Sequence, residues 1–291
     1  MEIKFNPVEV SDREWACELM QNSNLRGCEY TFGNNYMWSP VYDIQIARYK
    51  NFYLVRSKYG YLLPAGHGDI VQVTEALLEY TCGKLRYTNA DKESTQLLHG
   101  IYGDKVQVST DRDRYDYVYE YVTLSELAGR KLHSKRNHLH RFRECNWSYE
   151  PITADNIEEV AAMHNRWCDE KNIYSDKEKL AEAGAVIRGL DKFFELGLVG
   201  GTIRVDGEIH AYTFGEPLCG CSGDTFVIHV EKAFSQVQGT YAAINNEFVR
   251  RACGNYSYIN REEDMGAENL RKAKMSYCPA YMVEKYCVNF V

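Results

Sequence analysis

The chain has 291 residues, 45% hydrophobic and 26% charged, with only 6 Pro and 21 Gly, which excludes a disordered, fibrous or low-complexity protein. Its net charge of −7 disfavours broad nonspecific attraction to nucleic acid. A membrane helix needs about 20 mostly apolar residues, and the longest stretch without Asp, Glu, Lys or Arg, residues 233–246, is broken by Ser235, Gln236 and Gln238.

In chain order, Ser11-Asp12-Arg13-Glu14 reads as a capping box, opening a helix with Trp15, Leu19 and Met20 on one face. Residues 51–57 and 59–63 read as strands, and Asp69 caps a helix with the seam Ile70, Val73, Leu77 and Tyr80. Strands follow at 105–109 and 115–121. A basic helix spans 130–143, where Leu132, Leu139 and Phe142 fall on one narrow face. The next helix carries Ile157, Val160, Ala161, His164 and Cys168; the one after, 177–196, carries Leu180, Ile187, Leu190 and Phe194 as its expected seam and stops at Gly197. The period then changes to that of strands. Residues 201–205 and 208–214 flank Asp206-Gly207, a pair suited to a type I′ hairpin turn. Strand 224–231, helix 238–252, strand 256–261, helix 267–275 and strand 280–288 complete the chain. At roughly 100–200 residues per domain two domains are expected, at 1–122 and 123–291.

Ten cysteines contain no C-x-x-C; Cys219-Gly220-Cys221 is their one close pair, so reduced thiols and no metal site are expected. No apolar core follows Met1-Glu2-Ile3-Lys4-Phe5, so no signal peptide is read and a cytoplasmic location is expected. The 23 Tyr suit the half-buried walls of a polar cleft.

The order of elements in the second half resembles the acyltransferase fold of the GNAT superfamily. More specific are Tyr115-Asp116-Tyr117-Val118-Tyr119, the run 127–138 beginning Leu127-Ala128-Gly129-Arg130-Lys131, Gly239-Thr240-Tyr241-Ala242, Ile259-Asn260-Arg261-Glu262-Glu263-Asp264, and Leu270-Arg271-Lys272-Ala273-Lys274 with Tyr277 and Pro279. Together they resemble a bacterial family similar to the C-terminal domain of phosphatidylglycerol lysyltransferases. The resemblance implies an α/β (α+β) chain of two tandem GNAT-like domains, each a mixed central sheet flanked by helices. It also implies an acyltransferase that moves an aminoacyl or acyl group; taken with the basic helix and an imperfect coenzyme A loop, the expectation is an aminoacyl group from aminoacyl-tRNA and a small-molecule acceptor. An acyl-CoA-dependent N-acyltransferase and a non-catalytic ligand-binding or regulatory protein are the alternatives.

Four features could carry such chemistry. Gln236-x-x-Gly239 fits the start of a coenzyme A pyrophosphate loop at a helix N-terminus, where unpaired N–H groups and about half a positive charge favour anions; Tyr241 stands where that loop needs a small residue, and the plain alternative is a tight helix entry. Lys135, Arg136 and Arg141 of the basic helix could bind tRNA or another polyanionic donor, or be only a solvated face. Glu262, Glu263 and Asp264, of which at most two can point the same way, could hold an ammonium group or deprotonate an amine, with Glu231 a second candidate and Glu216 a weaker one; the alternative is an acidic first turn stabilised by the helix dipole. Arg271 and Lys274 share a helix face and could stabilise an oxyanion near Glu263 and Tyr277, or merely cap a helix C-terminus.

Overall fold

A computed structural model describes residues 2–219 and 223–291. Met1, Gly220 and Cys221, all named in reading the sequence, lie outside these residues.

The first part of the chain alternates short strands and helices: β1 (Asn6–Pro7), α1 (Arg13–Met20), α2 (Phe32–Tyr42), β2 (Gln45–Tyr49), β3 (Phe52–Ser57), β4 (Gly60–Leu62), β5 (Ala65–Gly66), α3 (Ile70–Tyr80), β6 (Arg86–Ala90), α4 (Lys92–Tyr102) and β7 (Val106–Thr110). The rest comprises β8 (Asp116–Glu120), α5 (Tyr121–Glu126), α6 (His133–Phe142), β9 (Trp147–Pro151), α7 (Ile157–Glu170), α8 (Lys177–Asp191), β10 (Val199–Val205), β11 (Glu208–Pro217), β12 (Thr225–Ala233), α9 (Thr240–Ala252), β13 (Tyr258–Asn260), α10 (Glu268–Met275), β14 (Tyr281–Val283) and β15 (Tyr286–Phe290).

Two mixed sheets result. The first runs β1-β2-β3-β4-β6-β15-β7, with β5 on β3; the second runs β14-β8-β13-β12-β11-β10-β9. Each sheet takes a strand from across position 122: β8 lies in the second sheet, and β15 inserts between β6 and β7 of the first. The expected single strand at 280–288 is therefore two strands in different sheets. Lys285 stands at the crossing, because β14 ends at Val283 and β15 begins at Tyr286.

The local signals act as the chain chemistry dictates. Asp206 and Gly207 adopt φ of 51° and 88°, the doubly positive pair of a type I′ turn, and join β10 to β11. Asp69 accepts hydrogen bonds from the N–H groups of Val71 and Gln72 and so caps α3. At α1 the box differs from expectation: the Asp12 carboxylate accepts from the Glu9 N–H at 2.9 Å and from Trp15 Nε1 at 3.0 Å. In α6, Leu132, Leu139 and Phe142 are buried as the helical spacing requires.

The seam expected for the helix after Lys177 is corrected. Leu190 is buried, but Leu180, Ile187 and Phe194 are exposed, and the face packed inward is Ala185, Val186, Gly189 and Leu190. Gly189 explains the choice of face: a Cβ there would sit 2.4 Å from Met37 Sδ of α2, so this side of α8 approaches α2 closely. One core runs from the first sheet through α2, α7 and α8 to β11, and a second fills the space between the other face of the second sheet and α5, α6 and α9.

Candidate active site at the seam between the sheets

The polar side chains that converge on the seam come from both halves. Lys285 Nζ lies 2.5 Å from Asp116 Oδ1, 2.6 Å from Glu29 Oε1 and 3.7 Å from Glu263 Oε2, with Lys285 and Asp116 almost fully buried. Burial alone would strip Lys285 of its proton, but Asp116 and the other carboxylates raise its pKa well above the ordinary lysine value. Asp116 is held further by the Cys28 N–H at 2.8 Å and Asn260 Nδ2 at 2.9 Å. Cys28 Sγ is 3.6 Å from both Asp116 and Glu263, and burial pushes this thiol well above its usual pKa. Cys28, Glu29 and Asp116, and again Cys28, Glu262 and Glu263, bring ligand-type atoms within 4.8 Å of one another. The Lys285 ammonium already supplies a cation to the first of these sets.

Beside this cluster, buried His229 bridges two carboxylates, with Nδ1 2.8 Å from Glu262 Oε1 and Nε2 3.0 Å from Glu216 Oε1. Burial would lower its pKa, but the two carboxylate hydrogen bonds raise it from 6.5 to about 9, so both ring nitrogens donate at neutral pH. Asn34 of α2 donates its side-chain N–H to Glu262 Oε1 at 3.2 Å and its backbone N–H to Glu216 Oε1 at 3.3 Å. Glu262 itself has a φ of 57°, uncommon for a residue with a side chain, and its N–H donates to Asn260 Oδ1 at 2.7 Å. Its Oε1 is thus doubly engaged, whereas Oε2 has no partner among the described residues and the side chain is 19% exposed.

The structure brings some expected residues together and separates others. Glu262 and Glu263 share the seam and Asp264 turns the other way; strict strand alternation would have paired Glu262 with Asp264, but the strand ends at Asn260 and the left-handed backbone of Glu262 breaks that alternation. Arg271 grips Asp264 with Nε at 2.9 Å and Nη2 at 2.8 Å, and also pairs with Asp113. Arg271 above all, with Tyr117 at 2.5 Å, holds the Asp264 carboxyl well below the usual range. Lys274 donates to the carbonyls of Arg261 at 2.5 Å, Glu262 at 3.1 Å and Glu263 at 2.6 Å. An ammonium has three N–H donors, so in this geometry Lys274 has none left for an oxyanion and instead fixes the backbone beneath Glu262 and Glu263. Expected as oxyanion-stabilising cations, Arg271 and Lys274 here act on the 261–266 loop.

Glu231 lies in a neighbouring cluster, paired with Arg261 Nη2 at 2.8 Å and accepting from Asn245 Nδ2 at 2.9 Å. Tyr277 is buried, which pushes its hydroxyl up to about 12; Lys135 Nζ lies 4.0 Å from its ring centre and the Arg261 guanidinium 4.8 Å. On α6, Arg136 donates to the carbonyls of Leu127 and Gly129, and Arg141 to Gln238 Oε1 at 3.2 Å. Arg136 therefore fixes the turn entering α6. The exposed cations are Arg130, Lys131, Arg141 and Arg143, joined by Arg250 and Arg251 of α9, which surround the buried Glu247 together with Arg143.

Gly239 begins α9 with a φ of 94°, and a Cβ there would lie 2.3 Å from the His138 carbonyl oxygen, so α6 crosses the entrance of that helix. Gln236 is engaged with Glu170 of α7. Reading the sequence gave no role to Lys285, Cys28, Glu29, Asn34 or His229. One signal was present for His229 and Asp116: each is a titratable residue inside an apolar or aromatic strand, where a charge without a partner is costly.

The phosphatidylglycerol lysyltransferase C-terminal family model matches residues 21–289. A conserved protein of unknown function from Bacteroides thetaiotaomicron is 36% identical, with a TM-score of 0.94 over 99% of this chain and 100% of its own. L-PGS from Bacillus licheniformis is 12% identical, with a TM-score of 0.69 over 98% of this chain and 93% of its own. A GNAT-family acetyltransferase from Colwellia psychrerythraea is 10% identical, with a TM-score of 0.51 over 100% of this chain and 99% of its own. With nearly its whole length matched by the family model and two mixed, helix-flanked sheets of GNAT type, the chain belongs to the phosphatidylglycerol lysyltransferase C-terminal family and has its GNAT-like transferase fold.

Proposed function

We propose that this protein is an aminoacyltransferase whose seam binds the ammonium group of the transferred amino acid. The observation that carries the reading is the carboxylate of Glu262. His229 and Asn34 fix one of its oxygens and leave the other open beside Glu263. An orientated carboxylate with a free oxygen suits a charge-assisted hydrogen bond to an ammonium, and a second carboxylate adjoining it favours a cation further. The cationic face of α6 and α9 supports a polyanionic donor, and aminoacyl-tRNA fits both features: phosphates for the basic face, an aminoacyl ester for the acidic seam. A small-molecule amine or hydroxyl is the acceptor in this reading. Its attack on the ester carbonyl breaks the bond to the ribose oxygen, which leaves with a proton.

A coenzyme A thioester is the less favoured donor. The crossing of α6 at Gly239 crowds the helix N-terminus that would hold a pyrophosphate, and Tyr241 stands where such a loop needs a small residue.

Binding of 3′-aminoacylamino-3′-deoxyadenosine, a stable mimic of the charged tRNA end, tests the reading by calorimetry, with lysyl and alanyl forms compared. A hydrogen bond to a charged group contributes about 1.5–3 kcal/mol, so Glu262→Gln should weaken the mimic by roughly 10–100-fold. Glu substitutions at the exposed Lys131 and Arg141 should flatten the salt dependence of whole tRNA binding and leave the small mimic untouched. Binding of acetyl-CoA but of neither mimic would replace this reading with the acyl-CoA one.

A further inference from the structure

The outer face of α8 carries a continuous stripe of side chains that the core does not use. Lys177, Leu180, Gly184, Ile187 and Asp191 recur at steps of three and four residues, so they form one stripe along the helix. The stripe faces away from the core: Leu180 is 48% and Ile187 37% exposed. Beyond its two ends stand two more exposed large side chains, Tyr174 at 58% and Phe194 at 50%.

Among the described residues no contact requires a glycine at position 184. A glycine in a helix interior is less stable than alanine because its backbone is freer when unfolded. At Gly189 the reason is visible, since Met37 leaves no room for a Cβ. At Gly184 nothing lies within 4 Å of where a Cβ would be. A bare backbone at the middle of an exposed apolar stripe suits close approach by something outside the chain.

The pattern also names the visitor. Lys177 and Asp191 lie equally far from Gly184, on opposite sides, and so, within one residue, do Leu180 and Ile187. If two such helices cross antiparallel at Gly184, Lys177 of each copy faces Asp191 of the other. Leu180 then lies level with the other copy's Ile187 to within one residue's rise of about 1.5 Å. Neither Lys177 nor Asp191 is in an ion pair among the described residues. A surface that is complementary to itself under a twofold rotation is the signature of an isologous contact.

We propose that α8 is a self-association surface, through which two copies of this chain pair antiparallel about a twofold axis at Gly184. One helix pair is a small interface, so a dissociation constant in the micromolar range, about 1–100 μM, is expected.

Sedimentation of the full chain over that concentration range tests the proposal. The wild type should pass from monomer to dimer. The combined Leu180→Glu and Ile187→Glu variant should stay monomeric, and because both residues are exposed its melting temperature at low concentration should stay close to wild type. Lys177→Asp alone or Asp191→Lys alone sets like charges against each other at both ends of the contact, and each should weaken the dimer about tenfold. The two together restore opposite charges and should recover most of the affinity. A wild type that remains monomeric throughout overturns the proposal, and so does a dimer indifferent to the Leu180 and Ile187 changes. A double charge variant no tighter than the single ones refutes the antiparallel register on which it rests.

Discussion

Lys285 is the residue on which the seam's electrostatics turn. Replacing it with Met leaves Asp116 buried without its counter-ion, and removing one partner of a buried pair costs about 3–5 kcal/mol. At roughly 2–4 °C per kcal/mol for a unit of this size, Lys285→Met should lower the melting temperature by about 10 °C, measured by calorimetry at neutral pH. His229 makes a second prediction. Its pKa is raised on folding, so its contribution is complete below 6.5 and is lost as pH rises through about 9. The melting temperature should therefore fall between those values, and His229→Gln should flatten that part of the profile. The sequence was legible here for Glu262 and Glu263, which stand in an acidic run after a strand. It was silent on Lys285, Glu29 and Cys28, because the Cys28-Glu29 pair and Lys285 stand far apart in the chain and their meeting depends on how the two sheets pack. Nor could it show the surroundings of Lys274: spacing gave a shared face with Arg271, but only tertiary structure shows the three carbonyls that accept from its ammonium.

At the scale of elements, α6 and α9 meet at a point where a side chain does not fit. Gly239→Ala should strain a backbone at φ 94° and push against the His138 carbonyl. The expected result is faster amide exchange across His133–Phe142 and a lower melting temperature, with the first sheet's exchange little altered. Elements with strong local chemistry were readable in advance: the Asp206-Gly207 hairpin, the capped α3 and the seam of α6. Others were not. In α2, Phe32 through Met37 are all buried, so no apolar stripe stands out against a polar one. In α8 the reverse holds: two apolar faces compete, Leu180–Ile187 outside and Ala185, Val186, Leu190 inside. The larger side chains drew the reading to the wrong one.

Across the whole molecule, the chain is not two beads joined by a linker, since β8 and β15 each serve the sheet of the other half and one hydrophobic core spans the seam. Deleting residues 286–291 removes the strand between β6 and β7 and leaves both with unpaired edges. That variant should lose its cooperative thermal transition or become insoluble, while the intact chain should melt in one transition rather than two. No local pattern marks this exchange, because a run that reads as one strand does not say where it changes sheets.

The late arrival of β15 also bears on how the protein is made. A nascent chain emerges from the ribosome at roughly 5–20 residues per second, and early domains usually fold before later ones appear. Here the first sheet must wait for Tyr286–Phe290, which are translated after every strand of the second sheet, before β6 and β7 can be joined. Until then those two strands present open edges, the surface on which chaperones act and on which neighbouring nascent chains can pair.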